Sequence, residues 1–105
     1  MTQMTPSDID TFLETPRHAI IATNAPKGPP QLTPIWYLYE NDHVYITVGT
    51  RTAKLRNLRR DPRVTLCVDG CHPDARAVIL HGTAEIIEED GLWKSEMRWR
   101  IIRRY

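Results

Sequence analysis

Between Tyr45 and Arg63 the chain reads YITVGTRTAKLRNLRRDPR, and here the residue types able to hold an anion lie closest together. A β-branched run ends at Gly49. Thr50 and Thr52 follow, with Arg51 between them and Lys54 just after. The pattern predicts a strand, a tight turn and a short basic helix stopped by Pro62. A helix opens with backbone N–H groups that have no intrahelical acceptor, and its dipole is positive at that end. Hydroxyls and a lysine gathered there suit a phosphate. The plainer alternative is a solvated basic face, and Arg56, Arg59 and Arg60 are read that way.

Other constellations carry less. Cys67, Cys71 and His72 form C-x3-C-H without a second ligand pair, so both cysteines read as structural thiols and no metal is expected. His18, His43 and His81 are scattered along separate strands, and none is assigned as a base. The absence of G-x-G-x-x-G and Walker patterns excludes a Rossmann-type dinucleotide site. No catalytic residue is nominated.

Composition sets the frame. The 105 residues, with 41% hydrophobic and 26% charged content, fit one soluble globular domain spanning 1–105. The net charge of +1, with no aromatics interleaved among the arginines, gives no reason to expect a nucleic-acid partner. No apolar run approaches a membrane span of about 20 residues. The polar N-terminus MTQMTPSDID is unlike a signal peptide, and reduced cysteines then imply a cytoplasmic location.

The elements that must position these residues follow from local pattern. Thr5 or Ser7 caps a first helix that carries Pro6 in its opening turn, shows Ile9, Phe12 and Leu13 on one face, and ends at Pro16. His18–Thr23 (HAIIAT) predicts a buried strand, and Asn24–Pro30 a turn. Gln31–Glu40 is expected as one strand, with Pro34 at an edge, a bulge or a ligand-facing gap. Of Trp36 and Tyr37, adjacent on that strand, one faces the core and the other a cleft or partner. Asn41-Asp42 makes a hairpin turn into a strand over His43–Val48. Leu55 and Leu58 form the core face of the basic helix, flanked by Lys54 and Asn57, and Asp61 before proline ends it sharply. Arg63–Asp69 is a strand. Arg76–Glu88 is one bent strand or two, with Gly82 as bend or bulge. Glu89–Tyr105 reads as a last helix. Short strands joined by hairpins predict a closed or split barrel, mainly β with short flanking helices.

The segments HAIIATN, APKGPPQ, LTPIWYLY, VYITVGT, RTAKLRNLRRDPRVTLCVD and AVILHGTAEII together resemble the pyridoxamine 5′-phosphate oxidase-like split barrels. The likeness is greatest to the flavin- and deazaflavin-(F420)-dependent branch, covers roughly residues 8 to 104, and is most specific in AKLRNLRRDPRV. It implies a split β-barrel of five to six antiparallel strands and a homodimer with F420 or FMN in a cleft at the subunit boundary. It implies that Thr33, Pro34, Ile35 and Trp36 line the ring, that Ile46 and Thr47 add contacts, and that Thr50, Arg51, Lys54 and Asn57 hold the phosphate. The implied activity is hydride transfer between that cofactor and a small organic substrate. The alternative is a binding protein that holds a cofactor or tetrapyrrole without turnover. Some deazaflavin-using relatives carry arginine where this chain has Thr52. Relatives usually continue with one more strand, so either the domain is truncated after Tyr105 or the barrel is completed differently.

Overall fold

The computed structural model describes residues 4–87 and residue 101. The helix expected over 89–105 lies outside them except for Ile101, which is helical and buried. Helix α1 (Pro6–Glu14) begins with a reciprocal cap. The Thr5 N–H donates to Asp8 Oδ2 at 2.9 Å, and the Asp8 N–H donates to Thr5 Oγ1 at 3.1 Å. The helix stops two residues before Pro16 and buries Phe12 and Leu13.

Strand β1 (Ala19–Thr23) lies inside an antiparallel sheet of order β2-β1-β5-β6, with β2 at Gln31–Ile35, β5 at Arg63–Asp69 and β6 at Ala77–Thr83. Strands β3 (Leu38–Glu40) and β4 (His43–Tyr45) form a separate hairpin. Its turn residues, Asn41 and Asp42, have φ of 52° and 60°, the left-handed pair that a two-residue hairpin turn requires. Helix α2 (Ala53–Arg60) links β4 to β5. The fold is a split β-barrel, and no ladder joins its two sheets among the described residues.

Strand alternation divides the large sheet into two unlike faces. Register places Ala19, Ile35, Val68 and Val78 in one cross-strand row, and Ile21, Thr33, Leu66 and Leu80 in the next. This inner face carries the core, where Ala19, Val68 and Val78 pack with Phe12, Leu13 and Tyr37. The opposite face leaves Ile20 43%, Leu32 65% and Ile79 60% exposed, and Trp36 just past β2 is 48% exposed. Arg17 closes one rim of the core. Its guanidinium lies 3.9 Å from the Phe12 ring centroid, and its Nε donates to the Phe12 carbonyl at 2.9 Å.

Three expectations require correction. The single strand over 31–40 is broken at Trp36-Tyr37, so that β2 joins the large sheet and β3 the hairpin. Tyr37 is fully buried, and its hydroxyl donates to the Leu13 carbonyl at 3.0 Å. That bond draws the chain toward the end of α1 and away from the ladder. The hairpin is tied to α1 as well, since Tyr39 donates to Asp10 Oδ1 at 2.7 Å. Strand β4 is correspondingly short, ending at Tyr45 rather than Val48. Gly82 is no bulge: β6 is one strand in unbroken register with β5, and Gly82 stands opposite Val64. Of Trp36 and Tyr37, the tyrosine is the core residue and the tryptophan the exposed one.

Tyr37→Phe keeps the ring but leaves the Leu13 carbonyl without this donor. The expected loss is about 1–2 kcal/mol in denaturant unfolding at an unchanged m-value. An unchanged midpoint would show that this bond does not hold the strand break.

Candidate functional site

The turn before α2 is built by Thr52. Its backbone is extended (φ −84°, ψ 151°), and its Oγ1 accepts the Leu55 N–H at 3.3 Å, which makes it the N-cap. The same hydroxyl donates to the Gly49 carbonyl at 2.8 Å, and the Thr52 N–H reaches that carbonyl at 3.2 Å. A Cβ at Gly49 would come within 3.0 Å of the Thr52 methyl, so the turn closes most easily with glycine there. Thr52 is therefore a local device that starts the helix. The Leu55 and Arg56 amides are both satisfied by Thr52. Ala53 and Lys54 occupy the opening positions, whose N–H groups have no acceptor within a helix.

Lys54 is half-buried, and burial alone holds its ammonium below the ordinary lysine pKa. The first turn of α2 contains no acid, and no carboxylate pairs with Lys54 among the described residues. A cation at the positive end of a helix, partly desolvated and without a counter-charge, is unfavourable in isolation. Thr50 and Arg51 are exposed beside it. The other cations are engaged elsewhere. Arg56 donates to the Arg51 carbonyl at 3.2 Å, Arg60 donates to the Asn24 carbonyl and to Asn57 Oδ1, and Arg63 pairs with Asp61 at 2.7 Å. Hydrogen bonds from Arg63 and Asn24 hold the Asp61 carboxyl well below the usual range.

Asn57 was expected beside the core face of α2, but it is buried with Leu55 and Leu58. Its Nδ2 donates to Thr23 Oγ1 at 3.1 Å and to Gln31 Oε1 at 3.2 Å. These partners are the last residue of β1 and the first of β2.

At the other end of β2, Pro34, Ile35 and Trp36 line a recess of about 230 Å³ together with His18. His18 was not nominated from the sequence. Ala19 pairs with Ile35, so His18 is carried to the end of β2, but only the register shows this. Thr33 lies on the inner face one residue earlier, and β2 is an edge strand. Ile46 packs against the core, whereas Thr47 is exposed. Most of the expected site residues thus fall in two groups, one at the start of α2 and one at β2 and just past it, with Asn57 bonded between them and Ile46 and Thr47 apart in the chain after β4. A groove of about 370 Å³, lined in part by Asn24, Arg63, Thr65 and His81, contains none of them. Cys67 and Cys71 are free thiols, and the described residues hold no group of three or more candidate metal ligands. No helix among them is long and apolar enough to cross a membrane.

Comparison with known proteins fixes the class. The sequence matches the family described as pyridoxamine 5′-phosphate oxidase over residues 5–105, and the chain belongs to that family. A conserved hypothetical protein from Mycobacterium tuberculosis is 36% identical with a TM-score of 0.74; the match covers 83% of this chain but only 56% of that one. An F420 reductase is 28% identical with a TM-score of 0.79, over 91% of this chain and 75% of its own. HutZ, the heme storage protein from Vibrio cholerae, shares the fold with a TM-score of 0.75 at 15% identity, over 98% and 77% of the two chains. No curated protein matches the sequence.

The lysine can be tested without a ligand. The folded chain holds the Lys54 proton less tightly than the unfolded chain. The cost of its charge is therefore full below the lowered folded pKa, and it fades as pH rises to the ordinary lysine value of about 10.4. Lys54→Gln is expected to raise the denaturation midpoint at pH 7, and its advantage over the unsubstituted protein should shrink across that alkaline window. A lowered midpoint at pH 7 would mean that the ammonium already has a counter-charge.

Proposed function

We propose that the chain binds a phosphate-bearing redox cofactor, the deazaflavin F420 ahead of FMN, and works as an oxidoreductase on a small organic substrate. The observation that carries this reading is Lys54, half-buried at a helix N-terminus with no carboxylate paired to it among the described residues. Such a charge becomes favourable once an oxyanion arrives. Lys54 then supplies the principal charge, and Thr50, Arg51 and the opening amides of α2 complete the grip. Thr33, Pro34, Ile35 and Trp36 form the wall for the ring. Thr47 contributes from the chain after β4, and Ile46 does so through its backbone, since its side chain packs on the core. The similarity to an F420 reductase favours the deazaflavin over FMN.

The cofactor, when bound, supplies the hydride chemistry. The residues of this chain bind it, orient it and keep one side of the ring from water. None of the histidines is required as an acid or base. The exposed apolar face formed by Ile20, Leu32 and Ile79, with Trp36 at its edge, is covered by a second copy of the chain. The homodimer thereby closes the ring site that β2 leaves open at the sheet edge.

Titration with F420 and with FMN, followed by absorbance, tests the reading. Saturable binding of one cofactor is expected, and Lys54→Ala should weaken it at least about tenfold, or 1.4 kcal/mol. Failure to bind either cofactor would end the proposal, and binding without hydride transfer to any acceptor would leave a holding protein instead. Sizing tests the assembly independently. Ile79→Glu on the apolar face should turn a dimer into a monomer and weaken the cofactor with it. A wild-type chain that runs as a monomer with cofactor bound would remove the dimer from the account.

A further inference from the structure

We infer that Asn57 is a positioning residue that locks the phosphate grip to the ring strand, and that through it the protein selects a phosphorylated redox cofactor over the same ring lacking its phosphate. The inference rests on the cofactor reading above. It alters the role that family likeness implies for Asn57, which is direct contact with the phosphate.

The hydrogen-bond inventory carries the argument. A side-chain amide has two N–H hydrogens and one oxygen. Both donors of Asn57 are committed, one to Thr23 Oγ1 and one to Gln31 Oε1, and Oδ1 accepts from Arg60 at 3.2 Å. A phosphate oxygen can only accept here, so Asn57 has no donor left to give it. Thr23 is 1% exposed and Asn57 6% exposed, so the bond between them is shielded from competing water, while the bonds to Gln31 and from Arg60 are partly buried.

Position explains what the joint does. Lys54 precedes Asn57 by three residues, so the two are neighbours on the helix surface, about 4.5 Å apart along its axis. Gln31 opens the strand whose far end, about 13 Å away, lines the recess at Pro34, Ile35 and Trp36. Helix α2 has only eight residues, and its buried apolar anchors are Leu55 and Leu58. Apolar contacts are non-directional and leave a short helix free to slide or roll. Arg60 and Asp61 tie the C-terminal end of α2 to Asn24, and nearer Lys54 two hydrogen bonds from the Asn57 amide to two different strands fix the remaining freedom. The separation between the lysine and the ring wall is thereby set before any ligand binds.

The test compares affinities for FMN and riboflavin, or for F420 and its phosphate-free chromophore, whichever pair the protein binds. Asn57→Ala should weaken the phosphorylated member about tenfold and leave the phosphate-free member within about twofold, collapsing the preference. Thr23→Val removes an acceptor too deeply buried to touch a ligand, so any effect it has passes through Asn57. It should shift the preference in the same direction, and the double variant should be no worse than Asn57→Ala alone. Should Asn57→Ala fail to fold, Thr23→Val decides alone. Equal weakening of both members would reduce Asn57 to general stability. A loss in Asn57→Ala with no change in Thr23→Val would restore direct contact. Either result overturns the inference while Lys54→Ala still abolishes the phosphate preference. If Lys54→Ala leaves that preference intact, the phosphate grip itself is misplaced and both readings fall.

Discussion

Placing Lys54 at the positive end of α2, half out of water and with no carboxylate beside it among the described residues, runs against two electrostatic preferences at once. Neighbouring charges show the contrast. Arg63 has Asp61, Arg76 has Asp74, and Arg17 has Asp74 together with the Phe12 ring. Arg56 and Arg60 have carbonyls. The described residues supply counter-groups at those sites, and none of them does so at Lys54. An anion drawn to this helix start would satisfy both preferences.

The fold explains how the mismatch is maintained. Thr52 starts α2 abruptly with a hydroxyl that both caps the helix and closes the turn onto Gly49. Asp61, extended and held by Arg63 and Asn24, stops it just as abruptly. Between these ends Leu55, Asn57 and Leu58 press the helix onto the sheet. A short helix fixed at both ends and bonded in the middle cannot tilt Lys54 fully into solvent without breaking a buried contact. At the other cluster, Tyr37 plays the matching part. Its bond to Leu13 pulls one residue into the core and so turns its neighbour Trp36 outward, to the rim of the recess.

Much of this was legible locally. The first helix cap, read as Thr5 or Ser7 and found at Thr5, the HAIIAT strand, the Asn41-Asp42 turn, the Leu55–Leu58 face and the stop at Asp61-Pro62 each depend on residues within a few positions of one another, and each forms. The departures depend on long-range partners. Nothing near Tyr37 announces that its hydroxyl will meet a carbonyl 24 residues earlier and end a strand. Periodicity set Asn57 beside the apolar stripe, but only strand register brings Thr23 and Gln31 over it. Gly82 looked like a bend because glycine weakens strands, yet its partner β5 holds β6 in register throughout. Family likeness named the residues of both clusters. What the sequence could not show is that an amide joins them.

The two faces of the large sheet then constrain each other. Because side chains alternate, Ala19 and Ile21 point into the core only if Ile20 points out, and the same rule sends Ile79 outward when Val78 is buried. The apolar outer face therefore cannot be removed by a shift of register without losing the core. Covering it with a second copy, as proposed, is the solution that leaves the inner packing untouched. The proposed ring wall lies along β2 at the edge of that same sheet, so on that proposal association and cofactor binding share residues, Pro34 and Trp36 among them. Two equilibria that share groups are linked, so each strengthens the other by the same free energy. On this reading the affinity of the chain for its cofactor depends on protein concentration, because half of the ring site is made only when two chains meet.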